Sequence, residues 1–191
     1  RRSSDLGKQK AMGEAITERD SLPVMTTLGV TTLISDSGVT RYRVNTEEWM
    51  MYDRKKPSYW AFEKGVYMEQ FDSIFNVEAS IKADTAYYYD KERLWKLIGN
   101  VDIQNRKGER FNTELLYWNE ATQKVYSDKF IRIQQPDRII TGHGFDSNQQ
   151  MTIYTIRNIE GIFYVDEEAS SGPPQPETKA LPDSVNKDTA K

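Results

Sequence analysis

The side chains best suited to chemistry in this sequence are one histidine and a few adjacent carboxylates. His143 is the only histidine, and the chain has no cysteine. A Ser-His-Asp or Cys-His nucleophile would therefore depend on His143 alone. His143 lies in "GHGFDS", a glycine-rich stretch that predicts a turn. We therefore expect a satisfied or solvent-facing histidine there and not a general base.

Paired carboxylates are the other candidate, because glycoside hydrolysis uses two of them. The adjacent pairs are Glu47–Glu48 and Glu167–Glu168. Neighbouring residues on a strand point to opposite faces, so neither pair suits this chemistry. The sequence also shows no phosphate-binding glycine loop and no zinc-site pattern. It predicts a protein that is not an enzyme and that uses no cofactor or metal.

The composition narrows the class of protein further. The 191 residues include 26 Lys and Arg against 29 Asp and Glu, a net charge of −3, which gives no general attraction to nucleic acid. Without cysteine there can be no disulfide or thiolate metal site. No apolar run reaches the roughly 18 residues of a membrane span. The sequence opens with Arg1, not Met, so we expect that a leader or anchor preceded it.

The two ends of the chain differ in composition from its middle. Every Trp, Tyr and Phe lies between Tyr42 and Tyr164. Segment 167–191 holds four of the seven prolines and too little apolar surface to offset its ordering entropy. We predict a flexible linker at 1–21, a folded domain at 22–166 and a disordered tail at 167–191.

The middle of the chain reads as a series of short strands. Runs rich in Val, Ile, Thr and aromatic residues alternate with turn-forming clusters such as "SDSG", "NRKG" and "QPD". Such spacing is typical of a β-sandwich or barrel. No segment keeps an amphipathic helical period over three turns. The sequence predicts an all-β, antiparallel domain.

A 30-residue repeat runs through this domain. "IKADTAYY" at 81–88 aligns with "FNTELLYW" at 111–118, and "VDIQ" at 101–104 aligns with "IRIQ" at 131–134. In each unit the apolar residues change from odd to even positions after an acidic residue. A flat strand keeps a period of two, so the change predicts a bulge that bends the strand. Repeated bends curl a sheet, which predicts a twisted, open β-jelly roll built from bulged repeat units.

The ordered motifs resemble the periplasmic proteins of lipopolysaccharide export, the component C and component A type of the OstA-like family. The motifs are "ADTAYY", "GNV", "GERFNTELLYW", "VYSDKFIRI" and "GHGF". Upstream, "SGVTRYRVNTEEWMMY" and "FEKGVYMEQFD" resemble the opening of component C. The resemblance covers about Val24 to Phe163. It implies a partly open jelly roll whose apolar interior holds the acyl chains of lipopolysaccharide.

The resemblance also implies partners and a location. Component C takes lipopolysaccharide from an inner-membrane ABC transporter complex and passes it to component A, a periplasmic bridge protein. We therefore expect a periplasmic protein tethered to the inner membrane by an N-terminal helix or a lipid anchor absent from this sequence. The segments "VMTTLGVTTLI" and "QMTIYTIRNIEGIFYV" are the expected free sheet edges, facing the transporter and component A respectively.

An acyl-chain groove needs a continuous apolar strip on one sheet face. Matching positions of the repeat supply such a strip, and the resemblance adds Phe62 and Ile98. The predicted lipid-binding residues are Phe62, Val66, Met68, Ile81, Ala83, Ile98, Val101, Ile103, Phe111, Thr113, Ile131 and Ile133. Gly38 and Gly142 match glycines that the family keeps at turns and partner edges.

Two other interpretations stay open at this point. The same alternation is expected of an ordinary β-sandwich core, which the pattern alone favours, whereas the resemblance favours a groove. A carbohydrate-binding β-sandwich would instead stack sugars on tryptophans. That alternative needs exposed, coplanar rings, and its candidates are Trp49, Trp60, Trp95 and Trp118.

Overall fold

The computed structural model describes residues 21–36 and 38–165, and its elements are β-strands. They are β1 (Met25–Asp36), β2 (Val39–Tyr52), β3 (Tyr59–Phe62), β4 (Val66–Phe71), β5 (Val77–Ala83), β6 (Thr85–Tyr89), β7 (Leu94–Asn105), β8 (Arg110–Asn119), β9 (Lys124–Gln134), β10 (Arg138–Asn148) and β11 (Tyr154–Tyr164). All eleven belong to one antiparallel sheet, so the predicted fold class is confirmed. The predicted tail, and the predicted linker up to residue 20, lie outside the described residues.

The sheet divides at β7 and joins again at β2. The second half of β7 pairs with β5, whereas its first half pairs with β6. From β5 the sheet continues through β4 to β2, and from β6 it continues through β3 to β2. β1 follows β2 at one end, and β8 to β11 follow β7 at the other. The sheet therefore has two leaves, and each long strand runs from one leaf into the other.

A line of irregularities separates the two leaves. β7 shifts register after Ile98, β8 after Thr113 and β10 after His143. In the first repeat unit the chain leaves the sheet at Asp84, between β5 and β6. The bends predicted from the change of parity are therefore present, as a strand break in one unit and a bulge in the next.

Buried hydroxyl groups satisfy carbonyls at this bend. An interrupted ladder leaves backbone carbonyls that are costly to bury without a donor. Three short side chains supply the donors, from Thr46 Oγ1 to the Gly65 carbonyl (2.8 Å), from Thr113 Oγ1 to the Phe130 carbonyl (2.7 Å) and from Ser127 Oγ to the Leu115 carbonyl (2.6 Å). Each of these residues is followed by an exposed acid on the outer side of the bend.

The two leaves have inner faces of different chemistry. The aliphatic leaf contains β4, β5 and the segments 30–36, 39–46, 101–105, 110–113, 131–134, 138–142 and 159–164. The aromatic leaf contains β3, β6 and the segments 25–28, 48–52, 94–98, 115–119, 124–127, 143–148 and 154–158. Side chains from both inner faces form one hydrophobic core.

Candidate lipid-binding interior

Ten of the twelve residues predicted to bind lipid meet in this core, each 9% exposed or less. Phe62 projects from the aromatic leaf and the other nine from the aliphatic leaf. The nine are Val66, Met68, Ile81, Ala83, Val101, Ile103, Phe111, Ile131 and Ile133. The structure thus brings the repeat positions together as one uninterrupted apolar wall.

Thr113 and Ile98 have other surroundings. Thr113 is buried beside the wall, but its hydroxyl is bonded to the Phe130 carbonyl at the bend. Ile98 follows Leu97, which is fully buried in the core. Since neighbouring strand residues face opposite sides, the half-buried Ile98 lies on the outer face. The structure therefore does not bring Ile98 into the interior, because the register shifts only after it.

A row of stacked rings forms the opposite wall, and sequence reasoning missed it. The rings of Trp49, Phe62, Trp95 and Trp118 follow one another with centroid distances of 6.0, 5.5 and 6.3 Å and interplanar angles of 23°, 27° and 13°. We call these four residues the aromatic row. Ala86, between Phe62 and Leu97 in the sheet, is fully buried. Its small side chain leaves room for Phe62 to reach Trp95.

The positions of the four tryptophans also test the alternative prediction of a sugar-binding surface. Trp95 and Trp118 are 2% and 4% exposed. Trp49 and Trp60 are partly buried and pack against the same core. Trp60 is also tilted by 53° to Trp49, so the four tryptophans form neither the coplanar set nor the exposed surface that sugar stacking requires.

The interior is closed in this structure. A small opening lies between the leaves, lined by Tyr42, Met68, Gln70, Trp118 and Gln149 among others. It offers about 10 Å³, roughly the space of one water molecule. Tyr42 and Trp118 contact each other across it, with ring centroids 5.0 Å apart. An acyl chain would fit only after the leaves move apart.

A strap closes one end of the interior. Residues 149–153, which we call the strap, connect β10 to β11 and reach across to the aliphatic leaf. Met151 is 1% exposed within the core, and its carbonyl accepts a hydrogen bond from Asn105 Nδ2 at 2.8 Å. Lys107 Nζ donates to the Thr152 carbonyl at 3.3 Å. The strap is thus held to the turn between β7 and β8.

A buried carboxylate supports the strap. Glu109 is 8% exposed and accepts hydrogen bonds from Asn105 Nδ2 (2.7 Å), Gln135 Nε2 (2.9 Å) and the Tyr154 hydroxyl (3.1 Å). Burial, and then the charge of Glu109, raise the pKa of Tyr154 to about 12. The phenol is therefore neutral and donating at physiological pH. The bonds described for Glu109 give it a role in holding the strap.

The turn predicted around His143 is part of strand β10 instead. His143 is about half exposed, and its Nδ1 lies 2.5 Å from Glu160 Oε1 on β11. In the described part of the chain, no group of three or more His, Asp or Glu side chains is placed to hold a metal ion. Gly38 does lie in a turn, between β1 and β2, with a φ of +79°.

Gly142 is not at a turn but in a strand flanked on both sides. It pairs with Ile131 of β9 and Ile159 of β11. A Cβ atom at this position would lie 2.3 Å from the Asn158 carbonyl oxygen. Glycine is therefore needed for the close approach of β10 and β11.

A second concavity lies on the outer side of the bend. This open groove measures about 780 Å³, and its lining includes Lys82, Asp84, Asp102, Glu114 and Arg132. Charged side chains of both signs line it together with the exposed ring of Phe130. An acyl chain in this open groove would stay in contact with water and charged groups.

The sheet ends at β1 and β11, as the sequence predicts. Among the described residues β1 pairs only with β2, and β11 pairs only with β10. Both strands expose large apolar side chains, Leu28 at 69% and Leu33 at 54% on β1, and Ile159 at 58% and Phe163 at 60% on β11. Exposed apolar edges of this length favour strand pairing with another chain.

The chain matches the family model described as lipopolysaccharide-assembly, LptC-related, over residues 19–162. It belongs to the LptC family. The family takes part in the transport and assembly of lipopolysaccharide in the periplasm of Gram-negative bacteria. A comparison with curated proteins finds no match. Within the described residues, no helix has the length and hydropathy needed to cross a bilayer.

Proposed function

We propose that this LptC-related domain binds the acyl chains of lipopolysaccharide between its two leaves. The observation that supports the proposal is the continuous interior, in which buried apolar side chains from both leaves pack into one hydrophobic cluster. Acyl chains transferred there would leave water and contact hydrocarbon on both sides. In the open outer groove an acyl chain would stay exposed to water.

Uptake requires the leaves to separate, and their connections allow it. The backbone joins the leaves along the bend. Away from the bend, side-chain contacts hold them together, such as the Tyr42–Trp118 ring contact and the strap bonds to Asn105 and Lys107. Such contacts open at a lower free-energy cost than a strand ladder. We propose that lipid replaces contacts between the leaves.

Site-specific photocrosslinking to lipopolysaccharide tests the proposal. Photoreactive residues at Phe62, Val101 and Ile133 face the interior, whereas Asp102 and Arg132 are matched outward controls on the same strands as two of them. We expect lipid adducts at the interior positions only. Circular dichroism should confirm that each variant is folded. Equal labelling of both sets, or no labelling of folded interior variants, would overturn the proposal.

We further propose that lipopolysaccharide moves along a chain of paired sheet edges. β1 would face the inner-membrane ABC transporter complex, and β11 would face an LptA-like bridge protein. The exposed apolar side chains of both edge strands support their pairing with other chains, and the direction follows from the family resemblance. Photocrosslinkers at Leu33 and Phe163 should each capture a different partner in cell envelopes, whereas one at Tyr117, in the middle of the sheet, should capture neither.

The proposed role is passive carriage without catalysis, with energy supplied by the transporter. We also propose attachment to the inner membrane by an N-terminal helix or a lipid anchor, because component C of the family usually carries an N-terminal membrane helix. Fractionation of the full natural protein between soluble periplasm and membrane checks this attachment. Recovery in the soluble fraction alone would contradict it.

A further inference from the structure

Two indole N–H groups stand at the ends of the aromatic row, and neither has a hydrogen-bond acceptor among the described residues. They are Nε1 of Trp49 and Nε1 of Trp118, and both atoms are buried. Trp95, between them in the row, has a partner because its Nε1 donates to Glu120 Oε1 at 2.9 Å. The same side-chain type is thus satisfied in the middle of the row and unsatisfied at both ends.

An unsatisfied buried donor is unfavourable and therefore uncommon in a folded protein. The third buried atom without a hydrogen bond, Glu69 Oε2, is different because it lies 3.0 Å from Arg43 Nη1 and its charge is compensated. Phenylalanine would stack in the row equally well at the positions of Trp49 and Trp118 without a polar group. The two donors therefore need another explanation.

Trp118 lies where the leaves meet. It lines the small opening between them, opposite Met68 and Ile81 of the aliphatic leaf. Its ring contacts Tyr42 on one side and Trp95 on the other. A guest that parts the leaves at this opening would meet the Trp118 ring at once. Trp49 occupies the other end of the row, three ring spacings of about 6 Å away.

We propose that Trp49 and Trp118 donate hydrogen bonds to the ester or amide carbonyls that join acyl chains to their headgroup. This inference rests on the proposed function, and it names the polar groups of the ligand that the interior would recognise. Hydrocarbon tails would pack along the aromatic row and the aliphatic wall. The carbonyls at their roots accept hydrogen bonds and have no N–H or O–H to donate, so they match two indole donors.

Hydrogen bonding to the two indoles predicts a preference for carbonyl-bearing chains that burial of hydrocarbon alone would not give. A carbonyl carried into the interior without a donor would pay a desolvation penalty. With the indole N–H it keeps a hydrogen bond, and the donor gains one that it lacks in the closed state. The interior should therefore favour ester-linked chains over ether-linked chains of the same length.

Binding of a matched pair of probes tests this preference, namely a dodecanoyl sugar ester and the corresponding dodecyl sugar ether. Wild-type protein should bind the ester about threefold to tenfold more tightly, the effect of one or two hydrogen bonds. Trp118→Phe and Trp49→Phe should each lower the ratio of ester affinity to ether affinity toward one, and this ratio is the readout because both substitutions also alter the packing surface for the hydrocarbon tail. Trp95→Phe, the same change where the N–H already has a partner, should leave the preference intact.

Thermal unfolding of the lipid-free variants gives an independent readout. Both Trp118→Phe and Trp95→Phe remove the same buried ring volume, but only Trp95→Phe removes a satisfied donor, so Trp118→Phe should lower Tm by at least about 2 °C less than Trp95→Phe. A water molecule that satisfies Trp118 would give equal losses of Tm in the two variants and no loss of the ester preference in Trp118→Phe. That result, or equal affinity of wild-type protein for ester and ether, would overturn the inference. Failure to bind either probe would instead count against the proposed interior site itself.

Discussion

At the scale of single residues, Thr113 shows how a position can fit a predicted ligand site and still have a structural role. Its place in the repeat put it in the predicted lipid-binding set. In the structure its hydroxyl donates to the Phe130 carbonyl across the interrupted ladder. Thr46 and Ser127 do the same on other strands. A buried hydroxyl at the bend therefore indicates a donor for an otherwise unpaired backbone carbonyl more than a ligand contact.

Thr113→Val should destabilise the domain by about 1–3 kcal/mol, because it keeps the shape of the side chain and leaves a buried carbonyl without a donor. Thr155→Val, at an exposed position of β11, is the matched control and should change stability by less than about 0.5 kcal/mol. Urea unfolding with a constant m-value measures both changes. Equal stability of the two variants would contradict the assigned role of Thr113.

Gly142→Ala should destabilise the domain by about 3 kcal/mol, because its Cβ would lie 2.3 Å from the Asn158 carbonyl oxygen. Gly108→Ala is the instructive control, since Gly108 has a φ of +77° but no atom within 4 Å of an added Cβ. It should cost only about 1 kcal/mol of backbone strain. Denaturant midpoints compare them. A smaller effect at Gly142 than at Gly108 would show that β10 and β11 can shift apart easily.

At the scale of elements, the sequence predicted the strands well because period, turn residues and parity are local signals. The edge segments became β1 and β11, and the parity change at "FNTELLYW" became the bulge of β8. The turn predicted at "GHGFDS" was wrong. Gly142 and Gly144 look like turn residues, but the first serves close strand approach and the second, with a φ of +77°, serves a register shift.

Of the two walls of the candidate interior, only the aliphatic wall could be predicted from the sequence, because its residues belong to the repeat. Residues of the aliphatic wall recur every 30 positions, so the sequence itself aligns them. The aromatic row comes from strands of different repeat units and from β2 and β3, which precede the clear repeats. Its rings meet only through the branching of the sheet. Nothing in a single sequence places Trp49 in one row with Trp118.

The stability of the strap's attachment to the core should depend on pH. The folded-state pKa of Tyr154, about 12, lies above the unfolded value of about 10. Folding therefore favours the neutral phenol, and this stabilisation is complete below pH 10 and is lost as pH rises from 10 to 12. Tyr154→Phe should be less stable than wild type at pH 8, and the difference should shrink toward pH 12.

Unfolding of both proteins by urea at several alkaline pH values measures this trend. The tyrosinate absorbance difference between wild type and Tyr154→Phe follows the titration directly. A stability difference that stays constant from pH 8 to pH 12 would show that the Tyr154 hydroxyl does not hold the strap.

At the scale of the whole molecule, the branched sheet makes the two leaves separable without breaking a strand ladder. Locking the leaves together should therefore abolish lipid uptake. Gln70 and Gln149 line the same opening from the aliphatic leaf and the strap. Because the chain has no cysteine, the double variant Gln70→Cys/Gln149→Cys accepts a short cleavable thiol crosslinker at these two positions alone.

The crosslinked protein should lose lipopolysaccharide binding, and cleavage of the linker should restore it. The pair Tyr67→Cys/Lys82→Cys is the control, since these residues are paired neighbours on the exposed face of one leaf. A crosslink there should leave binding unchanged. Full binding by the locked Gln70/Gln149 pair would show that acyl chains do not enter between the leaves.

The aromatic row gives the protein an optical property of its own. Three of the protein's four tryptophans stand with Phe62 in one stacked series on the aromatic leaf. Ring coupling and intrinsic fluorescence will therefore report the distance between neighbouring indoles and the polarity around Trp118. Lipid loading can be followed in real time on the unlabelled protein by its near-ultraviolet spectrum.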